Sequence, residues 1–525
     1  MKILYNARIH TLDPSCPDAS ALAIDQDRVV RVGETDRLLS TFDGAELRDM
    51  AGQSILPGLV DAHLHLKQYA LALQTLDCET ATKEACLQRV GERARSAKPG
   101  EWILGHGWNQ NSWDGWPCAA DLDTVAPGNP VYLTAKSLHA AWANSAALAL
   151  AGIHPDTPDP QNGQIQRDPG GHPTGILLEA AMALVGARIP EPTPAAIAHA
   201  IEEAQLTLWG MGITGVHDFD RRSCFQALQE LHEAGLLRLR VTKSIPLEDL
   251  PHAVELGLRT GFGDEWLRIG SVKAFMDGAL GPRTAAMFEP YLNEPENRGI
   301  LNMDAEELLD AGRQAVSAGL SMAVHAIGDR ANHAVLDAFE QLRQFERDRG
   351  LSPLRHRIEH VQLLHAQDAG RLADLQIIAS MQPIHATSDM PIADQFWGSR
   401  AALAYAWVTQ ARHGACLAFG SDAPVESPNP FWGIHAAVTR QRRDGSPGPA
   451  GWYPEQRLSI DTAIEAYTCG PAYASGSEDL LGRLAPGHLA DLIALERDPY
   501  QVAPEELPDM KPAATMVGGE WVWHA

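Results

Sequence analysis

Two histidines one residue apart, His63 and His65, lie in the run Leu56-Pro-Gly-Leu-Val-Asp-Ala-His-Leu-His-Leu66. Pro57-Gly58 is a turn signal, and the apolar residues after it suit a strand. In a strand Asp61, His63 and His65 share one face, while Val60, Ala62 and Leu64 point the other way. Two imidazoles on adjacent same-face positions can hold one metal ion together. With 21 histidines in 525 residues, one His-x-His is expected about once by chance. The pair therefore gains weight only if other strand ends supply further ligands. Four candidates do so: Lys273 in Ser271-Val-Lys-Ala-Phe-Met-Asp-Gly278, His325 in Met322-Ala-Val-His-Ala-Ile-Gly328, His360 in Arg357-Ile-Glu-His-Val361 and Asp422 in Ala418-Phe-Gly-Ser-Asp-Ala423. Singly, each has an ordinary explanation: a hydrogen-bonded histidine at a strand end, or an aspartate in a turn. As an ordered series, one group per strand end, they are hard to ascribe to coincidence, and they suit a metal site.

The elements that must position this series alternate between strand-like and helical runs, the pattern of a parallel sheet built from βα units. Strands are predicted at 59–66, 214–219, 239–244, 269–275, 320–325, 357–361, 377–382 and 416–421, and helices at 194–209, 305–318, 331–349 and 365–374. Eight such units predict an α/β (β/α)8 TIM-type barrel spanning 57–479, whose site lies at the C-terminal strand ends. The interval from 66 to 214 exceeds one helix. Its tryptophan-rich stretch, with Trp102, Trp108, Trp113, Trp116 and Trp142, predicts an inserted lid-like subdomain at 97–180. Short alternating runs at both ends predict a composite β-sandwich from 1–56 and 480–525, with a hairpin at Gly518-Gly519.

A formal net charge of -25 argues against nucleic-acid or anionic-membrane partners. The N-terminus lacks the apolar core and cleavage site of a secretory signal, and no apolar run is long enough to span a membrane. Seven scattered cysteines without a Cys-x-x-Cys pair suit a reduced, cytoplasmic setting.

The motifs resemble those of the amidohydrolase superfamily of metal-dependent hydrolases, and within it the amidohydrolase-3 branch that includes N-substituted formamide deformylases. The similarity runs from Asn6-Ala-Arg-Ile-His-Thr-Leu-Asp13 through the His-x-His stretch, His106-Gly-Trp-Asn109, Ser137-Leu-His-Ala-Ala-Trp-Ala-Asn-Ser145 and Lys273-Ala-Phe-Met-Asp-Gly278. It continues through His325-Ala-Ile-Gly-Asp-Arg330 and Gly420-Ser-Asp422 to Gly482-Arg-Leu-Ala-Pro-Gly-His-Leu-Ala-Asp491. The resemblance implies two divalent metal ions, zinc being expected. His63, His65 and Asp422 would hold one, and His325 and His360 the other. Lys273 would bridge them as N6-carboxylysine, because an ammonium has no lone pair to give. Such ions acidify a shared water to hydroxide and polarise a carbonyl, with Asp422 as general base and then acid. Without a carbamate, Lys273 would instead be a buried ion-pair partner beside a single metal.

Trp108, His139, Asp277, Asp329, Arg330 and His385 are weaker candidates for substrate contacts, and for each a packing, turn or capping role is the plainer alternative. The function implied is hydrolysis of a non-peptide amide, formamide or N-acyl bond in a small molecule, by a homodimer or larger homo-oligomer. Cyclic amide, ester or lactone hydrolysis uses the same groups. A deaminase resembling adenosine deaminase would carry Glu three residues after the strand-five histidine, where this chain has Gly328. A non-catalytic regulatory protein on the same barrel is the remaining alternative.

Overall fold

In a computed structural model, residues 1–109, 113, 115–135, 140–160 and 163–525 are described; His139 lies outside them. Eight runs pair in parallel as barrel strands β1 (Leu59–Leu64), β2 (Ile213–Asp218), β3 (Arg240–Pro246), β4 (Leu267–Phe275), β5 (Met322–Ala326), β6 (Arg357–His360), β7 (Ile378–Met381) and β8 (Leu417–Phe419), each hydrogen-bonded to the next. β1, β2, β6, β7 and β8 are buried at every position, as strands covered on both faces must be. The ring closes beyond β8. The Asp422 N–H donates to the His63 carbonyl at 2.7 Å, and the His65 N–H donates to the Ala423 carbonyl at 2.9 Å. This closure carries Asp422 to the end of β1. The predicted barrel is present, with strand bounds displaced by only a few residues.

Helices Pro194–Gly210, Ala305–Ser317 and Asp329–Asp348 lie where the 3.6-residue periodicity put them. Ala305–Ser317 starts at a capping box: Asp304 accepts the Glu306 and Glu307 N–H groups, while the Glu307 carboxylate accepts the Asp304 N–H. The helix expected over 365–374 is instead a 3-10 turn, Ala366–Asp368, followed by Arg371–Asp374. Gly370, a poor helix former, separates the two.

Strands from both ends of the chain form one eight-stranded sheet around a core that includes Leu4, Ile9, Leu22, Ile55, Leu492 and Met516. The first strand, Lys2–His10, is bent at Asn6, where φ is 54°. Its first half pairs with Glu46–Asp49 and its second with Ser54–Pro57. Ser54–Pro57 also pairs antiparallel with Leu492–Leu495, which joins the two chain ends. Gly518 and Gly519 both have positive φ, 58° and 75°, as a two-residue hairpin turn requires.

The chain divides into two compact units, Met1–Tyr69 with Ile197–Ala525, and Ala70–Ala196. The second has its own six-stranded sheet and a core that holds Trp108, Trp113 and Trp142. Among the described residues, no helix is long and apolar enough to cross a membrane.

Candidate metal centre

The barrel brings the ligand candidates to one end. Nε2 of His63 and Nε2 of His65 lie 3.5 and 3.4 Å from the same oxygen, Asp422 Oδ1. One ligating atom from each of His63, His360 and Asp422 falls within 4.8 Å of the others. The His360 ring centroid is 5.0 Å from that of His63 and 4.5 Å from that of His325. His360 and Asp422 have φ of 74° and 60°, a left-handed conformation that costs an ordinary residue about 1 kcal/mol or more. Gly420 lets the β8 extension reach this close: a Cβ there would sit 2.4 Å from the His63 nitrogen.

Lys273 and His325 complete the ring. The His325 Nε2 is 2.9 Å from the Gly278 carbonyl, which it meets as a donor, so Nδ1 carries its lone pair. Lys273 is buried and its Nζ has no hydrogen-bond partner. That nitrogen sits between the rings of Phe219 and Phe275, 4.6 and 4.9 Å from their centroids. Burial lowers its pKa to about 8, although the Glu359 and Asp422 charges favour the ammonium. A second buried lysine, Lys243, differs. Its Nζ is 2.9 Å from Asp218 Oδ2 and donates to the carbonyls of Ser244 and Asp220. Asp218, Asp220 and Cys224 also form a ligand-capable group, but Asp218 already pairs with Lys243 and the Asp220 carboxylate faces His65.

Burial holds His63 and His325 at about 4, with the Lys273 charge adding to the effect. Burial and the neighbouring His325 push His360 well below the ordinary imidazole range. These three rings are thus poised as neutral donors. Burial also opposes charge on His65, but the carboxylates of Asp220 and Asp422 outweigh it and raise this imidazole to about 9.

Several contributing groups were not singled out from the sequence. Glu359 Oε2 lies 2.6 Å from His63 Nδ1, Asp220 Oδ1 lies 3.4 Å from His65 Nδ1, and Gln382 Oε1 lies 2.9 Å from His360 Nδ1. Asp61 is a staple between β1 and the β8 extension. It accepts the His63 N–H together with the N–H and hydroxyl of Ser421. Glu359 was findable, because Arg357 and Glu359 alternate on one strand face. Asp220 and Gln382 lie just past their strands, where no periodicity marks them.

The substrate-contact candidates are placed less uniformly. His385 is buried, its Nε2 has no hydrogen-bond partner, and that atom is 4.0 Å from Asp422 Oδ2. Trp108 is instead core: it is 0% exposed, stacks with Trp113 at 6.1 Å, and spends its indole N–H on the Leu133 carbonyl. Asp277 likewise turns inward. Its carboxylate accepts the N–H groups of Ala286, Ile327 and Gly328, and it ties the loop after β4 to the loop after β5. Asp329 accepts from Phe288 and from the Arg330 N–H, while Arg330 itself is exposed. Asp277→Ala would leave three buried donors without an acceptor. We expect it to lower the unfolding free energy by about 3 kcal/mol, measurable by denaturant titration. A wild-type midpoint would show that the three donors find other acceptors.

A cavity of 350 Å³ opens beside the ligands, lined by His65, Phe219, Asp220, Pro246, Lys273 and Phe275. Phe275 is 49% exposed there. The cavity thus combines an aromatic wall with the polar atoms of the centre.

The family model for the amidohydrolase family matches residues 46–523. The chain is 34% identical to Protein LONG AFTER FAR-RED 3 of Arabidopsis thaliana, over 99% of this chain and 91% of that protein. It is 29% identical to the N-substituted formamide deformylase of Arthrobacter pascens, over 98% and 97%. The crystal structure of an uncharacterized metal-dependent hydrolase from Pyrococcus furiosus superposes with a TM-score of 0.79 at 32% identity, covering 95% of this chain and 100% of that one.

Proposed function

The chain belongs to the amidohydrolase family, and from that premise we propose that it hydrolyses a non-peptide carbon–nitrogen bond, an amide, formamide or N-acyl group, in a small molecule. The observation that carries the reading is the convergence of His63, His65, His325, His360 and Asp422, with buried Lys273, its Nζ unpartnered, lining the cavity beside His65. The similarity to the N-substituted formamide deformylase supports the choice of bond.

The residues fit a divalent-metal centre. Imidazole and carboxylate donors suit zinc, and a buried amine without a partner is the feature a carbamate would explain. His63, His65 and Asp422 would hold one ion and His325 and His360 the other, with Lys273 shared. Zinc, when bound, supplies Lewis-acid polarisation of the scissile carbonyl and acidifies a water. Lys273 would be modified through its neutral form, which a lowered pKa makes accessible. Nζ adds to the carbon of carbon dioxide, forming an N–C bond and releasing one proton, and the product is a carboxylate. Lys243 cannot do this, because its nitrogen is committed to three acceptors.

Asp422 would take a proton from the attacking water and pass it to the departing nitrogen, giving an amine and a carboxylic acid. His385, with a buried uncommitted ring nitrogen, would hydrogen-bond the substrate beside Asp422. Phe219 and Phe275 would pack on its apolar part and exclude water. Deamination is the poorer reading: Gly328 stands where the proton-donating Glu would be, and the Asp329 carboxylate is occupied by Phe288 and Arg330. Ester and cyclic amide hydrolysis would use the same residues.

The test is a hydrolysis screen of N-formyl, N-acyl, cyclic amide and ester compounds on zinc-loaded protein. We expect turnover among the acyclic amides or formamides. Turnover confined to esters or cyclic amides would overturn the bond assignment. A folded wild-type protein that takes up no metal would overturn the enzyme reading.

A further inference from the structure

Glu359 is buried beneath the proposed centre and supplies no ligand to it. Its Oε2 lies 2.6 Å from His63 Nδ1 and accepts the Ser380 hydroxyl at 2.6 Å and Arg357 Nη2 at 3.1 Å. Oε1 faces Arg357 Nε at 2.5 Å. Arg357 is itself fixed, donating to the Ala62 carbonyl and to His217 Nδ1, both at 2.8 Å. Strand alternation in β6 gives Arg357 and Glu359 the same inner face, and the backbone turns at His360, with φ of 74°, whose ring lies 5.0 Å from that of His63.

An ionised carboxylate only accepts hydrogen bonds. Its contact with His63 therefore requires the proton on Nδ1 and leaves the lone pair on Nε2, the nitrogen 3.5 Å from Asp422. The imidazole is also stacked on Phe219 at 4.2 Å between centroids, so the ring is held in plane as well as in tautomer. His360 has only a neutral acceptor, the amide oxygen of Gln382, at the corresponding nitrogen.

We propose that Glu359, locked by Arg357 and Ser380, is a positioning residue that fixes the tautomer of His63 and strengthens its Nε2 as a donor to a divalent cation. This rests on the reading of the centre as a metal site. A simple structural staple between β6, β7 and β1 would have the same contacts, but its loss would lower thermal stability without changing metal affinity in the folded protein.

Two measurements on the full-length chain separate these. In the first, metal-stripped wild type and Glu359→Gln are titrated with zinc against a chromophoric chelator, with folding checked by circular dichroism. The variant is expected to bind zinc about 10–100-fold more weakly, as for other groups that orient ligating histidines. Folded variant with wild-type affinity would overturn the proposal. The second needs no variant and decides if Glu359→Gln does not fold: nitrogen-15 NMR of metal-free wild type, with the His63 signals assigned. Protonated Nδ1 and unprotonated Nε2 are expected, and the opposite tautomer would overturn the proposal. Wild type that binds no zinc refutes the underlying metal reading. Zinc binding by wild type, with either result against Glu359, refutes this inference alone.

Discussion

Replacing Lys273 by alanine is expected to lower bound zinc from about two ions per chain to one or fewer, and to reduce hydrolysis roughly 10³-fold. The metal loss follows from geometry. Nζ of Lys273 has no hydrogen-bond partner, yet it is buried between the rings of Phe219 and Phe275. An ammonium left there would be a buried charge without a hydrogen bond, which is costly. Conversion to a carbamate would exchange that for a carboxylate able to serve as a ligand to divalent cations. The rate loss follows because a metal centre contributes several kcal/mol to charge stabilisation. Lys273→Arg separates the carbamate from a plain buried cation. A guanidinium stays charged and cannot add carbon dioxide, so the arginine variant should behave like alanine. Plasma emission spectroscopy counts the metal. Two ions in the alanine variant, or wild-type turnover by the arginine variant, would sink the bridging role. Carbon-13 NMR of protein prepared in labelled bicarbonate should show one carbamate signal in wild type and none in either variant.

How far this centre was legible in the sequence follows from the kind of constraint on each residue. β1 and β5 read as mostly apolar runs, Leu-Val-Asp-Ala-His-Leu and Met-Ala-Val-His-Ala, and a histidine interrupts each. His63 and His325 stood out for this reason, and His360 because it lies at the end of a predicted strand. Asp422 stood out because Gly420-Ser421 marks the end of a strand. The supporting groups left weaker marks. Asp220 and Gln382 lie after their strands, and their relevance depends on ring orientations that spacing does not encode. Asp277 misled in the opposite direction. Lys273 and Asp277 are four apart and share strand parity, but the chain turns after Phe275, and the carboxylate meets backbone N–H groups of two loops. Trp108 was a candidate substrate contact, whereas the described rings of Trp108, Trp113 and Trp142 pack on one another. The bend at Asn6 is likewise set by its strand partners, Glu46–Asp49 on one side and Ser54–Pro57 on the other, whereas the helix break at Gly370 is local.

Asp422→Asn is expected to reduce turnover about 10³-fold, within the range that a positioned acid–base group contributes, while leaving the fold intact. The choice of asparagine matters. Asp422 has φ of 60°, and asparagine tolerates the left-handed region far better than alanine or a branched residue does. The backbone bonds that close the barrel, from the Asp422 N–H to His63 and from the His65 N–H to Ala423, do not involve the side chain. What changes is chemistry: an amide is nearly isosteric with the carboxylate but cannot take a proton from water and deliver it to nitrogen. It also surrenders the charge between His63 Nε2 and His65 Nε2, so weaker zinc binding is expected alongside the slower reaction. The two effects are separable by measuring turnover at saturating zinc. If the rate then returned to the wild-type value, Asp422 would be a ligand alone, and the proton would have to travel by another group, for which His385, with Nε2 4.0 Å from Asp422 Oδ2, is a candidate. If the rate stayed about 10³-fold down with zinc bound, proton transfer through Asp422 would account for the loss.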